Sequence, residues 1–186
     1  MRVLHVTNMY PTAARPAMGI FVRRQIEALN RLGVAQSLYV IPDGSVTRYV
    51  HAARVIRARV RSGQYDLVHA HYGLAAWAAM WQSQPLVATF AGSDLYGHSD
   101  GRGGRTWRGR LEVVLGNWAA RRADRVVVMT RRPGRIAEII DVTAIRKAER
   151  WDRHERIEDV MDEVSFVHLR THIWRLLREQ QARNDH

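Results

Sequence analysis

Two histidines stand two residues apart in the run YDLVHAHYG, as His69 and His71, and an aspartate, Asp94, follows the apolar run PLVATF in the stretch AGSD. On an extended strand, residues two apart face the same way, so the two imidazoles form a pair that suits a metal or a hydrogen-bonded ligand. No third ligand lies nearby in a supporting pattern, so the expected metal set is none. Hydrogen bonding to a ligand or to the backbone is the better use of the pair. His71, nearer the strand end, is the functional candidate of the two. A carboxylate in a glycine-containing loop after a strand, as at Asp94, can orient hydroxyl groups, take a proton, or cap the next turn. Glu155 and Glu163 are eight residues apart in a segment crowded with acids, and on an ideal helix that gap leaves them only roughly aligned.

A different chemistry is suggested at Gly19, where a strand-like start meets an amphipathic helix. Helix starts leave backbone N–H groups without partners and carry a positive dipole end, so a glycine there lets an anion approach the backbone. A tight turn and nothing more is the alternative. The pattern is neither a GxGxxG nor a P-loop.

The elements that position these residues alternate. Arg2 to Thr7 reads as a first strand and Gly19 to Leu32 as a helix that stops at Gly33. Val34 to Ile41, Leu67 to Ala70, Pro85 to Phe90 and Arg125 to Met129 read as further strands. Helices are expected over Thr47 to Arg61, Leu74 to Trp81 and Thr106 to Arg121. Short apolar strands alternating with helices imply an α/β fold, a Rossmann-like parallel sheet with helices on both faces. Ligands of such sheets bind outside the carboxyl ends of the strands. Asn8, His71, Tyr72, Gly92, Ser93, Asp94 and Thr130 all fall at predicted strand ends and are expected to line one crevice with Gly19. After Thr130 the chain has one glycine, one proline and dense mixed charge, and reads as a helical tail over 131–186. Ile157, Val160, Val164, Val167, Thr171 and Trp174 lie on one stripe of it, suited to docking on the sheet or pairing with another chain.

The formal net charge of +11 is uneven: residues 1–130 hold 17 arginines against 7 acids, whereas residues 131–186 hold 12 basic and 11 acidic residues. Arg102, Arg105, Arg108 and Arg110 concentrate the excess, as a patch for anionic lipid head groups or as a solvated face. Nucleic acid is a poor partner for it, because Trp107 is the only aromatic interleaved and no nucleic-acid-binding motif appears. The chain has no cysteine and no run near the roughly 18 apolar residues of a membrane span. A cytoplasmic protein is expected, at most peripheral at the inner face of the membrane.

Four motifs in order carry a family resemblance: Y-P…G-I-F-V…Q-I-E-A-L…L-G from Tyr10 to Gly33, D-L-V-H-A-H-Y from Asp66 to Tyr72, P-L-V-A-T-F-A-G-S-D from Pro85 to Asp94, and A-D-R-V-V-V-M-T from Ala123 to Thr130. Over residues 1–130 the chain resembles the N-terminal domain of glycosyltransferase family 4, enzymes of the GT-B fold. The resemblance implies retaining, metal-independent transfer of a sugar from a nucleotide-activated donor to a glycan or lipid acceptor, with no cofactor. It makes Asp94 and His71 the catalytic candidates and places the donor diphosphate near Gly19. The family's second Rossmann-like domain, which holds most donor contacts, has no counterpart in 131–186, and Ala91 stands where many members have a histidine. The resemblance therefore implies a truncated protein, inactive alone or dependent on a separate donor-domain chain. The alternative is a non-catalytic module that binds acceptor or anionic membrane.

Overall fold

The computed structural model describes residues 1–42, 46–90, 107–129, 136–154 and 157–182. Six strands form one sheet in the order β2-β1-β3-β4-β5-β6. They are β1 (Arg2–Thr7), β2 (Ala35–Val40), β3 (Leu67–His71), β4 (Leu86–Phe90), β5 (Arg125–Met129) and β6 (Ile136–Asp141). The first five pair in parallel, and β6 runs antiparallel to β5. Between them lie α1 (Ile20–Arg31), α2 (Val46–Arg61), α3 (Gly73–Ala79) and α4 (Trp107–Arg122). The α/β class and the five strand-helix alternations expected from the sequence are those observed.

The period-two alternation of the strands divides the sheet into two unlike faces. Leu4, Val6, Val68, Ala70, Leu86, Ala88, Phe90, Val126 and Val128 belong to one core that also takes in Ala52, Ile56 and Val60 of α2 and the buried alanines of α3. Small side chains let α3 lie close to both the sheet and α4. Burying each large apolar side chain here stabilises the fold by roughly 1.5–3 kcal/mol. The opposite face of β1 and β3 carries Val3, His5, Thr7, His69 and His71, and α1 crosses it with Phe21 edge-on to His71 at 6.2 Å between ring centroids. Right-handed crossovers require this split, because the chain steps one way from β1 to β2 and the other way from there to β5. Helix α1 ends in a Schellman arrangement, with Gly33 N–H donating to Asn30 O, Val34 N–H donating to Leu29 O, and Gly33 at φ +77°.

The sheet runs one strand further than the sequence suggests. The helical tail expected from residue 131 contains β6, whose Ile140 faces the core beside Val126 while Ile139 is 59% exposed. The spacing of Ile136, Ile139 and Ile140 mimics one turn of an amphipathic helix, and an edge strand needs only one buried face. Arg125 Nη1 donates to Asp141 Oδ1 at 2.5 Å, and the same carboxylate oxygen accepts the Ala144 N–H and caps α5 (Val142–Ala148). Then follow a 3-10 turn (Trp151–Arg153), α6 (Ile157–Asp162) and α7 (Val164–Ala182). The tail docks on the core only partly through the expected stripe: Val160 packs against it, as do Phe166, Leu169 and Ile173 from beside the stripe, while Val164 and Thr171 are exposed. Glu163 accepts from His154 Nε2 at 2.8 Å, and Glu155 lies outside the described residues.

Candidate functional site

In the order β2-β1-β3 the chain reverses its direction of travel across the sheet, and the crevice outside the carboxyl ends of β1 and β3 is the topological switch point. Asn8 follows β1, and His71 ends β3 with Tyr72 next in the chain. Gly19 reaches the same place from the other direction, as the left-handed N-cap of α1, with a backbone so close to Met9 that a Cβ would collide with the Met9 carbonyl. The glycine is therefore demanded by the chain's own fold. At this helix start the N–H groups of Gly19 and Phe21 have no acceptor among the described residues. Asn8 Nδ2 donates to the Tyr49 hydroxyl at 3.1 Å, while its buried Oδ1 has no donor among the described residues. Tyr72 holds φ +88°, an uncommon conformation for a residue with a side chain, at the point where β3 turns into α3.

Behind the crevice the two histidines of the sequence motif are joined by a third. His5 lies opposite His69 in the β1–β3 register, and the three imidazoles offer ligand atoms within 4.8 Å of one another. A lone histidine in an apolar strand carries no sequence signal of this kind, so the meeting of His5 and its partner Gln36 with this pair is not legible in the sequence. The hydrogen bonds fix the proton positions along a chain. Gln36 Nε2 donates to Val34 O at 2.9 Å, which turns Oε1 of the same amide toward His5 Nε2 at 2.5 Å. That oxygen only accepts, so His5 carries its proton on Nε2 and presents a bare Nδ1. His5 Nδ1 lies 3.1 Å from His71 Nε2, which must donate to it. His71 is thereby left with a lone pair on Nδ1, buried and without a partner among the described residues. His69 Nε2 pairs with the Thr89 hydroxyl at 2.7 Å.

Burial keeps all three rings neutral. It pushes His69 down to about 3, helped by the neighbouring His5, and holds His71 well below the ordinary histidine range, helped by His69 and His5. His5 is lowered by burial and partly restored by its bond to Gln36. Three neutral imidazoles have the number and type of donor that a zinc site uses. Among the described residues, however, the groups recorded in contact with the rings are uncharged: Gln36, Thr89 and Phe21. An environment that resists one proton also opposes a dication without a carboxylate. The arrangement suits proton positioning and hydrogen bonding better than metal chemistry.

Of the other residues selected from the sequence, Gly92, Ser93, Asp94, Thr130, Arg102 and Arg105 lie outside the described residues, as does the side chain of Arg108. Arg110 is exposed on α4. Asn8, Gly19, His71 and Tyr72 do converge, at the ends of β1 and β3 and the start of α1.

A family model described as Glycosyltransferase Family 4 matches residues 10–137, from just after β1 to the start of β6, which takes in Gly19, His71 and Tyr72 of the crevice but not Asn8. No curated protein matches the chain.

Proposed function

The chain belongs to glycosyltransferase family 4, and from that premise we propose that its crevice binds the hydroxyl groups of a sugar or glycolipid acceptor, with the donor diphosphate of a nucleotide sugar approaching the α1 start. One observation carries this reading: among the described residues two buried acceptors, Asn8 Oδ1 and His71 Nδ1 at the ends of β1 and β3, have no donor, and two N–H groups at the start of α1, of Gly19 and Phe21, have no acceptor. A polyhydroxylated ligand supplies donors to the first pair, and a phosphate oxygen accepts from the second. His71 and Asp94 are the catalytic candidates, with Gly92, Ser93, Tyr72 and Thr130 as further binding positions. Transfer is retaining and metal-independent in this reading, and it requires a donor domain that residues 131–186 do not provide. The 186-residue chain with a panel of nucleotide sugars is expected to show no turnover, while ligand-observed NMR detects binding of simple glycosides. Asn8→Ala, with unchanged circular dichroism, should weaken that binding by about tenfold, the effect of one lost buried hydrogen bond. Turnover by the chain alone contradicts the donor-domain part; glycoside binding indifferent to Asn8→Ala contradicts the crevice.

A second reading, peripheral attachment to anionic membrane at the cytoplasmic face, is favoured by one surface. Trp107, Arg110 and Val114 are spaced three and four apart on α4, so they share one face, with Trp107 69% and Val114 61% exposed. No helix among the described residues is long and apolar enough to cross a membrane. Association with phosphatidylglycerol vesicles should fall steeply from low to high salt. Arg110→Gln should weaken it roughly fivefold, in line with about 1 kcal/mol per cation at the surface. Salt-independent association would rule the electrostatic attachment out.

A further inference from the structure

On the sheet face opposite α1, α7 does not close fully on α4. A narrow, open-sided cleft with a cavity volume of about 40 Å³ remains between them. Its walls are apolar, from Phe90 and Val126 on the sheet, Val142 of α5, and Phe166, Leu169 and Ile173 of α7. Its only charged lining groups among the described residues are two guanidiniums, Arg121 from α4 and Arg170 from α7. Arg121 lies over the Phe166 ring at 4.1 Å, and its Nε is buried without a hydrogen-bond partner. Neither arginine has a carboxylate partner among the described residues. Arg125, by contrast, has a carboxylate partner in Asp141.

We propose that this cleft binds a single-chain anionic amphiphile, a long-chain carboxylate or alkyl phosphate, with its chain along the apolar walls and its head group between Arg121 and Arg170. Two like charges converging on an apolar cleft without a counterion are unfavourable until an anion joins them, and the orphaned Arg121 Nε is a donor already desolvated. Burial and the neighbouring Arg170 lower Arg121 to about 10, which agrees with an unmet charge at this point. A free anion lacks the chain that fills the cleft, and a neutral alcohol leaves both guanidiniums unmatched, so the two parts of the site select an amphiphile together. The cleft is on the other face of the sheet from the crevice, and its occupancy does not depend on sugar binding.

Calorimetric titration of the full chain with decanoate and decyl phosphate, both below their micellar concentrations, tests the assignment. One saturable site is expected, with decanol and inorganic phosphate each binding at least tenfold more weakly. Arg170→Gln, an exposed position that leaves the core intact, should weaken decanoate about tenfold, and Ala120→Leu, which fills the cleft without touching its charges, should abolish the site. Decanol binding as tightly as decanoate, inorganic phosphate binding as tightly as decyl phosphate, indifference to Arg170→Gln, or binding only to phosphatidylglycerol vesicles and not to the monomers would each overturn it.

Discussion

Acidification from pH 7.5 to 5.5 should cost this protein roughly 3–4 kcal/mol of stability, through the three histidines that it holds neutral between β1, β3 and α1. In the folded chain His69 is pushed down to about 3, and His5 and His71 are lowered in the same direction. In the unfolded chain all three titrate near the ordinary value of about 6.5. Between those limits the unfolded state takes up protons that the folded state refuses, so stability rises with pH there. The contribution is complete above about 6.5 and is lost as pH falls toward 3. One unit below the ordinary value, each fully excluded proton is worth about 1.4 kcal/mol, so His69 and His71 together give roughly 3 kcal/mol, and His5, whose lowering is partly offset by Gln36, adds to that. Urea denaturation at stepped pH measures it. The net charge of +11 also opposes folding in acid, but salt screens that repulsion and does not reach a buried imidazole. His69→Gln should therefore remove about a third of the slope between pH 6.5 and 5.5, in high salt as in low. A slope unchanged by His69→Gln, or abolished by salt, would assign the acid sensitivity to surface charge.

The histidine cluster also marks the limit of what the sequence can tell. Periodicity located β1 to β5 because parallel strands buried on both faces need continuous apolar runs, and turn residues located the helix ends because Gly33 and Gly19 occupy backbone conformations that suit few other residues. Spacing placed His69 and His71 on one face, since that relation is local. His5 lies 64 residues before His69, and only strand register brings them together; Gln36 arrives from a third strand. A sequence without the register contains no trace of that meeting. Strand β6 and the docking face of α7 were lost differently. Isoleucines at 136, 139 and 140 satisfy a helical stripe as well as an edge strand, and in α7 Phe166, Leu169 and Ile173 are offset from the equally apolar stripe through Val164 and Val167. Where two faces of one segment are apolar, the neighbour decides which is buried.

The family assignment and the fold bear differently on Gly19, and a set of three substitutions separates them. Gly19, Gly33 and Gly63 all have positive φ, at 67°, 77° and 75°. An alanine Cβ at Gly33 meets nothing within 4 Å, and at Gly63 it meets only the Arg61 carbonyl at 3.8 Å. Gly33→Ala and Gly63→Ala should therefore cost about 1 kcal/mol each, the penalty of a left-handed conformation alone. Gly19→Ala drives its Cβ into the Met9 carbonyl, which is backbone and cannot rotate away. The end of β1 or the start of α1 must move, and the expected cost is about 3 kcal/mol or more in urea denaturation. Those same segments carry Asn8 and the N–H groups of Gly19 and Phe21, so the displacement reaches the crevice. In Gly19→Ala, glycoside binding should fall even under conditions where the variant is fully folded, whereas Gly33→Ala, at the far end of α1, should leave it intact. Equal costs for Gly19→Ala and Gly33→Ala would mean that the Met9 contact is relieved without expense. The glycine would then be kept for what approaches α1 from outside, and not for the packing of the chain on itself.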